Sequence, residues 1–477
     1  MKKVDWLEWE RIGIYFMKKK ILAILMAAVM CVAAAGCGNG NVSVVDDGDN
    51  GTEEASAPVE EAEVTEDGKI VISILTDVSR SVVGESGYGT GFYTALDEWQ
   101  EAHPEVEISI EEMDQTSYQT KITALGSADD MPDIFMLKGS WTKNFVNNGW
   151  VQDLTADLDA DPEWRDAYIE GAYDNATLDG KIYGVPRESL STGLIFYNSD
   201  MWAEIGYEEF PATWDELLDA VDKFQEKGVT AFVMGNKPNW PAESCWLSTL
   251  GDRFTGVEWT NSILNGDGAK FTDDEFVAAL TAFQELADRG AFNADINSID
   301  DQEQQTVYYN KKAAAIANGT WFIPSVDNAA PEDVKAATKL AILPPVNGGT
   351  DRQNTVSGGC VWFTSLSSQV QDAAKRELCV DLIKALTGKK VADITASYGG
   401  VTPWKTPEYD ASSLPQLYTE YLELMESVVN VPVYDSCMDS GVIETMNQGL
   451  QSLLIGEKTP EDLANEIQLE QDQVSME

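Results

Sequence analysis

Between Lys69 and Leu137 the chain switches repeatedly between strand and helix periods, and this alternation constrains the fold more than any other feature. Ile70-Val71-Ile72-Ser73-Ile74-Leu75 is a near-continuous apolar run, as expected for a strand buried on both faces. Residues 90–102 are amphipathic, Val106-Glu107-Ile108-Ser109-Ile110 alternates as a strand, and residues 115–127 read as helix. Pro132-Asp133-Ile134-Phe135-Met136-Leu137 reads as a third strand. Such a series predicts an α/β lobe, because parallel neighbours need a crossover and a helix supplies it. Ligands of these sheets sit beyond the carboxyl ends of the strands. Here those loops begin at Thr76-Asp77, Met113-Asp114 and Lys138-Gly139-Ser140-Trp141, which makes Asp77 a candidate acceptor for ligand hydroxyls.

A second series follows. Leu194-Ile195-Phe196-Tyr197 reads as a strand, and Thr213-Trp214-Asp215-Glu216 opens a helix with a capping box. The helix over 215–227 stops at Gly228, a C-cap, and Val229–Met234 is the next strand. Helices at 274–289 and around 301–312 precede the strand Ala313–Ala317, and further helices are predicted at 369–386, 413–428, 441–455 and 459–470. About 410 residues lie beyond residue 67, more than one core ordinarily holds, so two lobes are expected.

Charge narrows the partners. With 81 acidic against 32 basic residues the net charge is −49, which repels nucleic acid and anionic lipid. A single histidine, His103, sits at a helix end before Pro104 and leaves triads and His-based zinc sites almost nothing to work with. Cys245, Cys360, Cys379 and Cys437 are widely spaced with no CxxC; buried free thiols are expected, although an extracellular setting would permit disulfides. No cofactor or metal is expected.

The amino terminus reads as a targeting segment. Met17-Lys18-Lys19-Lys20, the apolar residues 21–35 and Ala34-Ala35-Gly36-Cys37 form a lipoprotein signal, with Ala34 where a larger aliphatic is usual. The apolar run falls short of the ~20 residues a spanning helix needs, which disfavours the alternative of an uncleaved membrane helix. Cleavage would leave Cys37 as the lipidated N-terminus, palmitate included, and hold the protein at the outer face of the cytoplasmic membrane. Residues 1–16 carry Asp5, Glu8 and Glu10, which such a signal does not need, so Met17 is an alternative start. Residues 38–67 hold ten acidic residues and no Lys or Arg, the composition of an extended spacer.

Six short segments, in order, resemble extracellular solute-binding proteins of ABC importers, family 1, the maltose-binding-protein type. Pro132-Asp133-Ile134 is similar to the family's PDI strand, and Gly180-Lys181-Ile182-Tyr183-Gly184-Val185-Pro186 to its GKxYGVP hairpin. Tyr197-Asn198-Ser199-Asp200-Met201 resembles YNKDL, and Pro211-Ala212-Thr213-Trp214-Asp215-Glu216-Leu217 resembles PPTWDEL. Ala314–Trp321 is similar to AAMxxNGxW, and Ser357-Gly358-Gly359 with Ala373–Leu386 to the GG…AAxxFIxxL block.

The resemblance implies a two-lobed periplasmic-binding-protein-like α/β fold, each lobe a mostly parallel sheet flanked by helices. The chain would cross the hinge about three times, near Ser191, Gly359 and Trp404. Lobe 1 would comprise 68–190 and 360–403, and lobe 2 would comprise 191–359 and 404–477. A solute would lie in the cleft, and closure around it would be read by the transmembrane subunits of an ABC permease. No enzymatic activity and a monomer are expected.

Sugar sites combine aromatic faces with carboxylates and amides, and fourteen tryptophans make such faces available. By the resemblance, Trp321 occupies the tryptophan of NGxW that stacks on sugar, Trp240 lies in a cleft-facing loop, and Trp141 follows the PDI strand. Glu188 lies beside the first crossing, and Asp439 falls near the family's last cleft contact after Asn430-Val431-Pro432. Trp362 and Tyr398, with Trp404, flank the later crossings; Trp214 is assigned to structure. The expected ligand is a carbohydrate, an oligosaccharide foremost. A polyol or peptide in the same fold, a surface glycoside hydrolase using an Asp/Glu pair, and a glycan-binding adhesin or sensor remain as alternatives.

Overall fold

The computed structural model describes residues 64–65 and 67–474, so the expected signal, Cys37 and nearly all of the spacer lie outside the described residues. Fourteen strands are described: β1 (Ile70–Thr76), β2 (Val106–Glu112), β3 (Ile134–Lys138), β4 (Thr177–Leu178), β5 (Lys181–Ile182), β6 (Val185–Pro186), β7 (Leu190–Ser191), β8 (Leu194–Asn198), β9 (Thr230–Val233), β10 (Ala313–Asn318), β11 (Thr338–Ile342), β12 (Thr355–Gly359), β13 (Trp362–Leu366) and β14 (Val429–Val431).

The first sheet has the order β2-β1-β3-β13-β6. β1 runs parallel to β2, with Ile72 opposite Ile108, and parallel to β3. The helices Gly87–Ala102, Ala373–Thr387 and Lys389–Ser397 pack together beside this sheet. Its core includes Ile72, Ile74, Phe92, Ile122, Phe135, Phe363 and Leu382. The second sheet, β11-β8-β10-β9, is buried on both faces. Ile195 and Tyr197 of β8 enter one apolar cluster, while Leu194 and Phe196 enter the other. That two-sided burial explains why β8 reads as an unbroken apolar run.

Neither sheet is wholly parallel, and the departures have a common cause. β1, β2 and β3 run toward the space between the lobes, as do β9 and β10. β13 and β8 begin at that space and run away from it. Accordingly β13 is antiparallel to β3, and β8 is antiparallel to β10 and β11, leaving β9–β10 as the parallel pair of the second sheet. Each of these reversed strands is the first one laid down after the chain leaves the small sheet β14-β12-β7.

That small sheet joins the lobes. β12 pairs antiparallel with β7 and parallel with β14. Its backbones approach closely: a Cβ on Gly358 would come within 2.5 Å of Leu190 O and Asn430 Oδ1, so only glycine fits. Ser191 Oγ donates to Asn430 Oδ1 at 2.9 Å, and Thr192 Oγ1 and Ser357 Oγ share a hydrogen bond of 2.8 Å. At the third expected crossing, Trp404 bridges to Tyr168 and packs against the core of the first lobe.

Local sequence signals act as expected at Thr213 and Glu216, which form a capping box, and at Gly228, which closes that helix with φ 70°. The segment from Trp240 differs. It was expected as a loop but forms helix from Trp240 to Thr255, with a π-helical turn at Glu243–Leu247. His103 caps the helix Gly87–Ala102 through its backbone N–H, and its ring stacks on Trp99 at 4.1 Å. Cys245, Cys360, Cys379 and Cys437 are free, and the first three are buried. No described helix is long and apolar enough to cross a membrane.

Candidate functional site

Between the lobes, at the strand ends, lies a cavity of about 870 Å³. This is within the range of ~300–1,000 Å³ common for small-molecule sites. Six of the residues singled out from sequence line it: Asp77, Trp141 and Glu188, with Trp362, Trp240 and Trp321.

The first lobe contributes an internally paired wall. Asp77 follows β1, and Glu188 follows β6. Between them stands Arg187, which no sequence feature had singled out. Its guanidinium donates to both Asp77 carboxylate oxygens, the Nη2–Oδ2 bond measuring 3.1 Å, and to Glu188 Oε1 from Nε at 3.0 Å and Nη2 at 2.8 Å. It also lies 5.2 Å from the Trp362 ring and 5.1 Å from that of Tyr88. Burial opposes its charge, but Asp77 and Glu188 together hold the guanidinium firmly protonated. Neither carboxylate is therefore a free acceptor; each offers a ligand what Arg187 leaves unused. Trp141 and Trp362 are 6% and 4% exposed and meet edge to face at 5.4 Å. Trp141 is further stacked on Phe145 and Tyr118. The two rings turn little surface to the cavity.

The second lobe is built differently. Trp240 and Trp321 are only partly buried and meet at 5.9 Å and 65°, forming an aromatic corner. Trp321 lies across Gly319: a Cβ there would sit 2.0 Å from Cζ3 of the ring, so the glycine of Asn318-Gly319-Thr320-Trp321 makes room for the indole. Asn239 adopts φ 65°, a conformation Asn tolerates, and so turns the chain into Trp240. Asp301 Oδ1 accepts from Gln304 at 2.7 Å and Asn318 at 3.1 Å, and Oδ2 accepts from Gln305 at 2.6 Å. On the helix Ser440–Leu454 one face, Ser440, Ile443, Glu444 and Asn447, lines the cavity. The Asn447 carbonyl oxygen is buried with no partner.

Polar contacts tie the two walls at the floor. Lys138 Nζ, at the end of β3, pairs with Asp435 Oδ2 of the opposite lobe at 2.7 Å. Ser244 Oγ lies 2.9 Å from that same Oδ2 and 2.9 Å from Glu243 Oε2. One hydroxyl hydrogen cannot serve two carboxylates, so one of the acids must carry a proton. Glu243 is that acid: it is fully buried, and burial, then the charge of Asp435, pushes its pKa up to about 8. Asn175 adds a second link, its amide donating to Cys360 O at 2.9 Å and Ser436 Oγ at 3.2 Å.

Two sequence-derived candidates stand outside the lining. Asp439 caps the helix Ser440–Leu454, accepting from Gly441 N at 2.9 Å. Tyr398 follows the helix Lys389–Ser397 and packs over Gly87, where a Cβ would lie 2.8 Å from its own. Helical spacing explains the first displacement: the side chains that reach the cavity come later, at 440, 443, 444 and 447. Arg187, Asp435, Glu243 and Asn447 were all missed, and Lys138 was placed only as the first residue of a strand-end loop. The adjacent pair Arg187-Glu188 directly after the Gly180–Pro186 hairpin was the one signal for them. Among the described residues no His, Cys, Asp and Glu cluster is arranged to hold a metal, and His103 is outside the cavity lining. The site offers aromatic surface and hydrogen-bond acceptors, which suits binding of a polar, uncharged molecule.

Comparison with known proteins agrees with the geometry. A binding protein of Brucella abortus is 22% identical over 255 residues, 53% of this chain and 60% of that protein, so the chain spans less than two thirds of this relative's length. A structure from work on xylan utilization by the thermophilic bacterium Caldanaerobius polysaccharolyticus aligns at TM-score 0.73 and 26% identity, covering 84% of this chain and 99% of that one. A chitin oligosaccharide binding protein aligns at TM-score 0.77 and 22% identity, covering 86% of this chain and all of that one. The pattern described as bacterial extracellular solute-binding protein matches residues 84–412. The chain belongs to the bacterial extracellular solute-binding proteins.

Proposed function

We propose that this protein captures a carbohydrate, an oligosaccharide foremost, in the interlobe cavity and delivers it without chemical change to an ABC permease. The observation that carries this reading is the Trp240–Trp321 corner facing a wall of carboxylate and amide acceptors across about 870 Å³. Indole faces suit the C–H faces of sugar rings, and acceptors suit their hydroxyl hydrogens. Solved relatives associated with xylan and with chitin oligosaccharides support the same class of ligand. For the signal to reach a permease, the ligand must bind the closed arrangement of lobes better than the open one. Lobe 1 is proposed as 68–190 with 360–403, and lobe 2 as 191–359 with 404–477, Trp404 itself still packing on lobe 1 at that boundary. The signal-like segment ending at Cys37 supports a lipid anchor on the outer face of the cytoplasmic membrane, and the acidic spacer would hold the lobes away from that surface. In the cell the protein is proposed to act as a monomer.

Thermal unfolding against mono- and oligosaccharides, with amino acids and short peptides as controls, tests the reading. A ligand at a hundred times its Kd adds about 2.7 kcal/mol, a readily measured shift. A rise with one sugar class, absent in Trp321→Ala, is expected. A rise with peptides alone would overturn the substrate class, and a sugar response unchanged in Trp321→Ala would overturn the site.

A further inference from the structure

The two walls of the cavity differ in charge as well as in packing. Of the residues that line it, seven are acidic and two, Lys138 and Arg187, are basic. Both cations sit on the first wall, and both are already taken. The Arg187 guanidinium is held by Asp77 and Glu188, and Lys138 Nζ lies 2.7 Å from Asp435 Oδ2. The Arg187 and Lys138 side chains are 5% and 16% exposed, so neither meets a new partner without leaving the pair it is in.

The second wall presents carboxylates in a different state. Asp300 and Asp301 lie where the chain enters the helix Asp301–Tyr309, and Glu444 lies on the helix Ser440–Leu454. All three line the cavity together with Trp240 and Trp321. Each is met by neutral groups. Asp300 Oδ1 accepts from Glu303 N at 3.1 Å, Asp301 accepts from the amides of Gln304, Gln305 and Asn318, and Glu444 Oε1 accepts from Gln448 Nε2. Asn318 belongs to the same Asn318-Gly319-Thr320-Trp321 segment as the indole, so Asp301 is fastened to the aromatic corner. Neutral donors steady a carboxylate without cancelling its charge. Low-dielectric walls on either side concentrate the field of such charges within the cleft.

Resting on the carbohydrate reading above, we infer that the cavity selects among oligosaccharides by charge: it admits uncharged units, gains from a unit bearing a protonated amine, and rejects one bearing a carboxylate, with Asp300, Asp301 and Glu444 as the determinants. A ligand carboxylate entering here gives up its water and finds the lining cations already paired. Repulsion from the three carboxylates of the second wall adds to that cost. A protonated amine meets the reverse, with charge-assisted acceptors and the faces of Trp240 and Trp321, which attract cations through the ring quadrupole. The charge of −49 on the whole chain acts in the same sense on any solute outside. Salt screens that longer-range field over about 8 Å at physiological ionic strength. Discrimination that survives such salt comes from groups inside the cavity.

Calorimetric titration with one trisaccharide in three forms tests this, the trisaccharide being one that raises the unfolding temperature in the sugar panel. Its reducing end is opened to the alditol, the aldonate or the 1-amino-1-deoxyalditol, which match in size and differ in charge. At physiological salt the aldonate is expected to bind about tenfold more weakly than the alditol, and the amine about threefold more tightly. Glu444→Lys, at an exposed position, is expected to narrow both differences, with Glu444→Gln between it and wild type. A steric effect of the substitution would instead shift all three ligands together and overturn the role given to Glu444. Equal Kd for the three forms, loss of all three alike, or tightest binding by the aldonate would overturn the selection by charge and leave the carbohydrate reading standing. A panel in which no neutral sugar raises the unfolding temperature would overturn the carbohydrate reading itself.

Discussion

The two walls of the cavity solve opposite problems. On the first lobe every strong group is already engaged: Arg187 holds Asp77 and Glu188, and Trp141 and Trp362 are locked edge to face within an aromatic cluster. On the second lobe the indoles of the aromatic corner, Trp240 and Trp321, are only partly buried. One wall is pre-organised by its own interactions, and the other keeps capacity for a ligand. The same residue type therefore has different consequences on the two sides, which substitutions can separate.

The largest effect should come from the paired wall. Arg187→Ala leaves two carboxylates facing each other at a site where Arg187 and Asp77 are nearly inaccessible. Removing one partner of a buried pair typically costs about 3–5 kcal/mol. Denaturant unfolding should show that loss with no ligand present. A loss under 1 kcal/mol would mean that the first wall is not held by this cluster. On the open wall, Trp321→Ala should weaken sugar binding at least tenfold, about 1.4 kcal/mol, while moving unfolding far less than Arg187→Ala does.

The floor between the walls supplies a pH test. Glu243 keeps its proton in the folded protein up to about pH 8, whereas in the unfolded chain it loses it near the ordinary carboxyl value. Between those values the folded state binds more protons, so this group's contribution to stability falls as pH rises. Glu243→Gln removes that dependence and keeps an acceptor for Ser248. The variant should gain stability relative to wild type as pH climbs from about 5 to 8, measured by denaturant unfolding at each pH. A constant difference across that range would mean that Glu243 is not the protonated acid. The smallest effect belongs to Asp439→Ala, which removes a helix cap worth about 1 kcal/mol and should leave ligand affinity unchanged.

The same contrast explains what could be read in the sequence. The strands and helices around the first sheet were legible because their periods are local, and Asp77 and Trp141 followed from the rule that strand ends carry sites. Trp321 followed from the NGxW resemblance. The ionic architecture was not legible, since Arg187 reaches Asp77 across 110 residues and Lys138 reaches Asp435 across 297. Nothing local distinguishes such a charge from a solvated one. Nor did the helix beginning at Trp240 announce itself, because the resemblance placed a loop there. Asp439 and Tyr398 show the converse limit. Each lies near the chain segment expected at the cleft, but a cap and a packing contact direct them elsewhere.

One measurement addresses the division of labour directly: sugar affinity and unfolding free energy for Trp321→Ala and Trp141→Ala, side by side. Trp321→Ala is expected to lose at least tenfold in affinity with little loss of stability. Trp141→Ala is expected to lose about 3–5 kcal/mol of stability. Binding lost in Trp141→Ala at unchanged stability, with Trp321→Ala binding as wild type, would contradict the assignment of the ligand face to the second lobe.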